Sequence, residues 1–169
     1  MMLLRLLVIL IVTCSQPALA EGVVFEDAFS PHQGATALVV KTINAAKKSV
    51  HVAAYSFTSR PIAAALVAAH ERGIDVEVVL DKSQRKSHDT RAGLLRDHGI
   101  PTRINDNYAI MHDKFMLIDG TVLELGSFNY TRAAEEQNAE NVLVIHNSHD
   151  VIDDYARQWQ KLWTEAEVN

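Results

Sequence analysis

The sequence predicts an α/β domain built on one mixed, mostly buried β-sheet flanked by helices. Three observations carry this. Short apolar strand-like runs alternate with helical patterns over most of the chain, the signature of strands joined by crossover helices. Asp119-Gly120 stands between two apolar runs, a strong short signal for an antiparallel hairpin, which makes the sheet mixed. No repeat, low-complexity stretch or linker separates a second domain.

Taken in order, Ser30-Pro31 reads as a cap and first-turn proline. The helix it starts runs to about Lys48, with Ala35, Leu38, Val39, Thr42 and Ala46 on one face. Val50 to Phe57 is a short apolar strand. A second helix opens at Ser59-Arg60-Pro61, carries Ile62, Leu66 and Ala69 inward, and ends at Gly73. Asp75 to Leu80 fills with valine, as a buried strand does. Thr90 to His98 is a helix stopped by Gly99, followed by a strand from Thr102 to Asn105. Ile110–Ile118 and Thr121–Phe128 are the hairpin strands, Asn141 to Ile145 another strand, and Val151 to Trp163 a last amphipathic helix.

Residues 1–20 read as an export signal: Arg5 is the basic start, Leu6 to Val12 the apolar core, and Ala18-Leu19-Ala20 the small-residue cleavage pattern. The apolar run is too short for the ~20 residues of a membrane span. Cleavage leaves residues 21–169 as the working domain, in a periplasmic or secreted protein. It removes Cys14, the only cysteine, so packing and oligomerisation must replace disulfides. A net charge of −5 on 169 residues argues against a broad polyanion-binding surface. Attraction for nucleic acid would need a local cationic cleft, for which Lys82, Arg85, Lys86, Arg91, Arg103 and Arg132 are candidates.

The chemistry concentrates between residues 112 and 129. His112, Lys114 and Asp119 form HxKx4D, and Gly126, Ser127 and Asn129 follow as GSxN. Six such positions arise by accident in about one chain in a million. A two-residue loop at Asp119-Gly120 sets Ile118 opposite Thr121, and hence His112 opposite Ser127. Alternation then puts His112, Lys114, Ser127 and Asn129 on one face, with Gly126 keeping the adjacent backbone clear. A neutral imidazole beside a fixed ammonium, a hydroxyl and an amide can attack a phosphodiester without a metal. Asp119 lies ~23 Å along the strand from His112 and is assigned a structural role in the turn.

This pattern resembles the HKD motif of the phospholipase D superfamily, and within it the small exported single-motif bacterial endonucleases that act in the presence of chelators. Val52–Thr58, Arg72–Val76 and Val79–Lys82 are similar to the same family, so the resemblance covers essentially residues 21–169. It implies a phospholipase D-like single domain that cleaves DNA, with RNA as a second substrate, through a phosphohistidine on His112. Lys114, Ser127 and Asn129 would bind the phosphate. Glu140, in Asn138-Ala139-Glu140-Asn141, would orient His112. The reaction requires two histidines and the chain has one motif, so a two-fold homodimer would share one active site and give a bell-shaped pH profile.

Other residues have plainer readings. His51, on an apolar strand, reads as a hydrogen-bonded core residue, and His32, His88 and His98 as surface positions. His146 and His149 straddle a strand end without a companion ligand, so no metal site is expected. Trp159 and Trp163, four apart, form a packing stripe. No P-loop, GxGxxG or CxxC pattern suggests a cofactor. Two rival functions share parts of this reading. A phospholipase D or cardiolipin-type hydrolase or transferase uses the same chemistry but calls for an acyl-chain groove or membrane-binding helix. A non-catalytic nucleic-acid-binding dimer would not require the paired His112 and Lys114.

Overall fold

The computed structural model describes residues 22–168. The export signal read in residues 1–20, with Cys14, lies outside them. Strands and helices run in the order β1 (Val24–Ser30), α1 (Ala35–Ala45), β2 (Ser49–Ala54), α2 (Arg60–Glu71), β3 (Asp75–Asp81), α3 (Ala92–Asp97), β4 (Thr102–Asn105), β5 (Lys114–Ile118), β6 (Val122–Gly126), α4 (Arg132–Glu136), β7 (Glu140–His146), α5 (His149–Glu165) and β8 (Glu167–Val168). They form an 8-stranded sheet in the order β1-β7-β6-β5-β2-β3-β4-β8. The pairs β2–β3 and β3–β4 are parallel and the others antiparallel, so the sheet is mixed as expected.

Pleating sends alternate residues to two separate cores. Val50, Val52, Ala54, Val78, Met116, Ile118, Val142 and Val144 face Leu38, Val39, Ile43, Ile62 and Leu66 of α1 and α2. Ala53, Val79, Phe115, Leu117 and Leu123 face Ile152, Trp159 and Leu162 of α5. Burial on both sides explains why β2, β3 and β5 read as continuous apolar runs. Helix α2 begins as its sequence dictates, with the Ser59 hydroxyl accepting from Ile62 N and a proline in the first turn. Gly73, at φ 85°, then ends it.

Four points differ from these expectations. Ser30-Pro31 does not cap a helix: Ser30 closes β1, and α1 starts only after Gly34, whose φ of 92° reverses the chain. Strand β1 itself is absent from the sequence reading. The hairpin strands are shorter, because the ladder ends where β2 ends at Ala54, opposite Lys114.

The fourth concerns register. Asp119 and Gly120 do make the turn, at φ 56° and 69°, closed by Thr121 N donating to Ile118 O at 3.1 Å. Pairing, however, starts at Ile118↔Val122. Thr121 is an extra residue on the β6 side, its carbonyl accepting from Asn147 N at 2.9 Å. Continued outward, this register sets Lys114 against Gly126, and His112 is not opposite Ser127.

Candidate active site

The catalytic candidates gather at the end of the sheet where β2 stops and β5 begins. A cleft of about 690 Å³ is lined by His112, Lys114, Ser127, Asn129, Glu140 and Tyr155, among others. The one-residue slip does not scatter them, since His112 and Ser127 lie just beyond the ladder, where the backbone leaves the strand register. Local anchors set the approach. Asp81, buried at the end of β3, accepts from Ser83 N and from Met111 N, both at 2.8 Å, and so pins the segment entering the site. Tyr55 N donates to Asp113 O at 3.1 Å.

His112 is exposed, and its ring lies 4.7 Å from that of Tyr55, tilted by 50°. Lys114 is buried. Its Nζ donates to the His112 carbonyl at 2.6 Å, stands 2.9 Å from His112 Nδ1, and sits 5.4 Å from the centre of the Tyr55 ring. Burial pulls the Lys114 pKa below the ordinary lysine value, while the charges of Asp113 and Glu140 partly restore it. Ser127 Oγ donates to Glu140 Oε2 at 2.6 Å and accepts from Asn141 N at 3.1 Å. Asn129 Oδ1 is buried, with no hydrogen-bond partner among the described residues. A polar atom left unpaired in a cleft wall is poised for a ligand.

The role assigned to Glu140 looks different in the structure, whereas Asp119 acts at the turn. Glu140 does lie on the cleft, but its carboxylate takes Ser127 and Asn138 (2.9 Å), while His112 Nδ1 faces Lys114. Within one chain Glu140 does not orient His112. Asp119 stays far from the cleft. Its carboxylate accepts from Lys47, Lys48 and Ser49 N–H at 2.9, 2.7 and 3.0 Å, clamping the α1–β2 connection. Burial pushes the Asp119 pKa up, but those backbone donors outweigh it and hold it below the usual carboxylate value. An aspartate tolerates the left-handed turn position and supplies this clamp at once.

The cationic candidates divide. Lys82 Nζ is held on Tyr108 O at 2.7 Å, and Arg85 pairs with Glu167 at 2.7 Å. Arg103 donates to Trp163 O at 2.9 Å. Arg91 and Arg132, with Arg60, line a separate cavity of about 520 Å³ together with Asp89, Glu135 and Glu136.

Sequence reasoning missed Tyr55, Asp81 and a buried pair behind the site. Tyr130 OH donates to Glu124 Oε2 at 2.6 Å, both fully enclosed. Tyr130 directly follows Asn129, and its carbonyl accepts from Thr58 and Ser59 N at 2.9 and 2.8 Å, so the pair braces the loop bearing Asn129. The signal was a lone glutamate inside an apolar strand. Burial lifts the Glu124 pKa from 4.5 to about 8, against the opposing effect of the Tyr130 hydrogen bond. Between those values the unfolded chain ionises Glu124 and the folded one keeps it protonated, so stability falls as pH rises across that window. Urea unfolding from pH 4.5 to 8 is expected to show this fall, and Glu124→Gln to flatten that part of the slope.

Comparison with known proteins gives the family. Residues 39–163 match the family model described as cardiolipin synthase, PLD-like domain. The chain belongs to the phospholipase D-like family. Its fold follows that of a solved phospholipase D family member, Nuc from Salmonella typhimurium: the TM-score is 0.84 and the identity 37%, covering 88% of this chain and 99% of that one. A phospholipase D from Rickettsia bellii is 35% identical over 131 residues, 78% of this chain and 65% of the relative. A mitochondrial cardiolipin hydrolase from Xenopus laevis is 29% identical over 154 residues, 91% of this chain and 73% of that protein. The phospholipase D-like chain thus spans about two thirds of these curated relatives' length. Among its described residues no helix is long and apolar enough to cross a membrane.

Proposed function

We propose that this chain is a metal-independent phosphodiesterase that hydrolyses DNA, and RNA by the same chemistry, through a phosphohistidine on His112. The observation that carries the reading is the meeting of His112, Lys114, Ser127, Asn129 and Glu140 on one open cleft. Such a cleft admits an extended polyanion and offers it a nucleophile, a cation and neutral donors.

The resting geometry constrains the first step. With Lys114 Nζ donating to His112 Nδ1, the neutral ring carries its proton on Nε2. Attack by Nε2 requires that proton on Nδ1, so the Lys114 contact opens as phosphate enters and Nζ moves to a non-bridging oxygen. The Nε2–P bond then forms, the P–O bond to the leaving strand breaks, and a second histidine protonates that oxygen. The same histidine next deprotonates water, which cleaves the N–P bond and regenerates His112.

The second histidine is supplied by another copy of the chain in a two-fold dimer, which the exposure of His112 in a single chain accommodates. A histidine nucleophile and a histidine acid in one site produce a bell-shaped pH profile. Export through residues 1–20 would place the activity in the periplasm or medium.

A phospholipid reading is favoured by the names of the relatives from Rickettsia bellii and Xenopus laevis. One assay separates the possibilities: the purified protein with single-stranded DNA, double-stranded DNA and cardiolipin vesicles, all in excess EDTA. DNA cleavage is expected. Hydrolysis of cardiolipin alone would transfer the chain to the lipid class, and turnover of neither would leave a binding protein. A monomer with full activity would overturn the shared site.

A further inference from the structure

On the face covered by α5, away from the cleft, three potential ligands meet. In the parallel β2–β3 pair His51 lies opposite Glu77, and Asp75 sits one pleat earlier opposite Ser49. All three therefore project from one face. His51 Nε2 stands 3.5 Å from Asp75 Oδ2 and 3.8 Å from Glu77 Oε2, at or beyond the limit of a hydrogen bond. One ligand atom from each residue falls within 4.8 Å of the others.

Packing fixes the ring that faces the two carboxylates. His51 stacks on Trp159 with centroids 4.3 Å apart and planes at 17°, and Trp159 is itself held by Nε1–H donating to Val52 O at 3.3 Å. The nearby cation, Arg103, is turned aside: its guanidinium lies 4.1 Å above the Trp163 ring and donates to Trp163 O. So half-buried His51 is neither the sequestered core residue its strand suggested nor fully satisfied by a hydrogen bond.

We propose that His51, Asp75 and Glu77 form a divalent-cation site suited to zinc, with water as the fourth ligand. Nitrogen and oxygen ligands about 2.0–2.2 Å from a tetrahedral zinc stand roughly 3.4 Å from one another. The separations of 3.5 and 3.8 Å at His51 are close to that geometry, and the two carboxylates, within 4.8 Å of each other, would close on the ion by side-chain rotation. The bound ion would join β2 to β3 and, through the His51–Trp159 stack, stiffen the seat of α5. His51 is four residues from Tyr55, about 13 Å along a strand. The site takes no part in the reaction proposed above, does not depend on it, and is compatible with turnover in EDTA.

The test is zinc titration of the purified protein by calorimetry and by melting, with Ni²⁺ quenching of tryptophan fluorescence as a local readout. Asp75→Asn and His51→Gln are the variants, and the exposed position of Asp75 makes the first safe for folding. The wild type is expected to bind one more zinc per chain than either variant. It should also gain several degrees in melting temperature with saturating zinc and lose tryptophan emission with Ni²⁺. Equal stoichiometry and equal thermal shift in the wild type and Asp75→Asn would overturn the proposal, as would quenching that survives in both variants.

Discussion

His112→Ala is expected to reduce DNA cleavage by roughly 10⁴- to 10⁶-fold, the scale on which removal of a covalent nucleophile is felt. The folded state should hardly notice. His112 is exposed and precedes β5, and its ring contacts are those with Tyr55 and the Lys114 ammonium among the described residues. The melting temperature should therefore stay within a few degrees of wild type. Lys114 would be left with the carbonyl of residue 112 as its acceptor. Cleavage of plasmid DNA in EDTA, with acid-quenched protein assayed for phosphohistidine, checks both halves. Activity within tenfold of wild type would remove His112 from the centre of the mechanism.

Gly126→Ala is expected to act oppositely, on the fold first and on activity through it. A Cβ at residue 126 would lie 2.1 Å from Asn141 O, 3.0 Å from Asn141 C and 3.2 Å from Val142 Cα. All three atoms belong to the backbone of β7, the strand paired with Gly126. No rotamer can relieve the clash, so β6 and β7 must separate where Ser127 and Asn141 are bonded. A loss of about 3 kcal/mol or more is expected in urea unfolding. Cleavage should fall with it, because Ser127 and Asn129 hang from the displaced strand end. A loss under about 1 kcal/mol would show that β7 yields far more easily than a sheet interior should.

The glycine also shows how much of the site was legible. Its requirement for a clear backbone follows from the motif, but the neighbour that enforces it, Asn141, is known only once β7 is paired. The same holds along the chain. Helix α2 was readable because Ser59, Pro61 and Gly73 act within their own turn, and β4 because its buried run is bounded by local turn signals. Strand β1 was not. Its large apolar residues, Phe25 and Phe29, are 62% and 48% exposed, while small Ala28 and Ser30 point inward. The binary pattern is thus inverted, and the strand exists through pairing with β7 more than a hundred residues away.

The register error has a comparable origin. Asp119-Gly120 dictates a tight turn wherever it occurs between strands, and it does so here. Whether the next residue joins the ladder depends on competing partners, and Thr121 is drawn to Asn147 at the end of β7. Loop residues His112 and Ser127 absorb the slip, so the cleft still assembles.

Sequence alone determined the fold class, the family and the motif residues His112, Lys114, Ser127 and Asn129 that line the cleft, because periodicity, caps and motif spacing are local and survive small errors of register. Tertiary structure decided which of those residues touch. Glu140 joins Ser127 rather than His112, Asp119 clamps the α1–β2 connection, and Glu124 is closed in with Tyr130. Each of these contacts spans segments whose approach is set by the whole sheet, and an ionisable side chain takes its partner and its pKa from whatever that packing brings within reach.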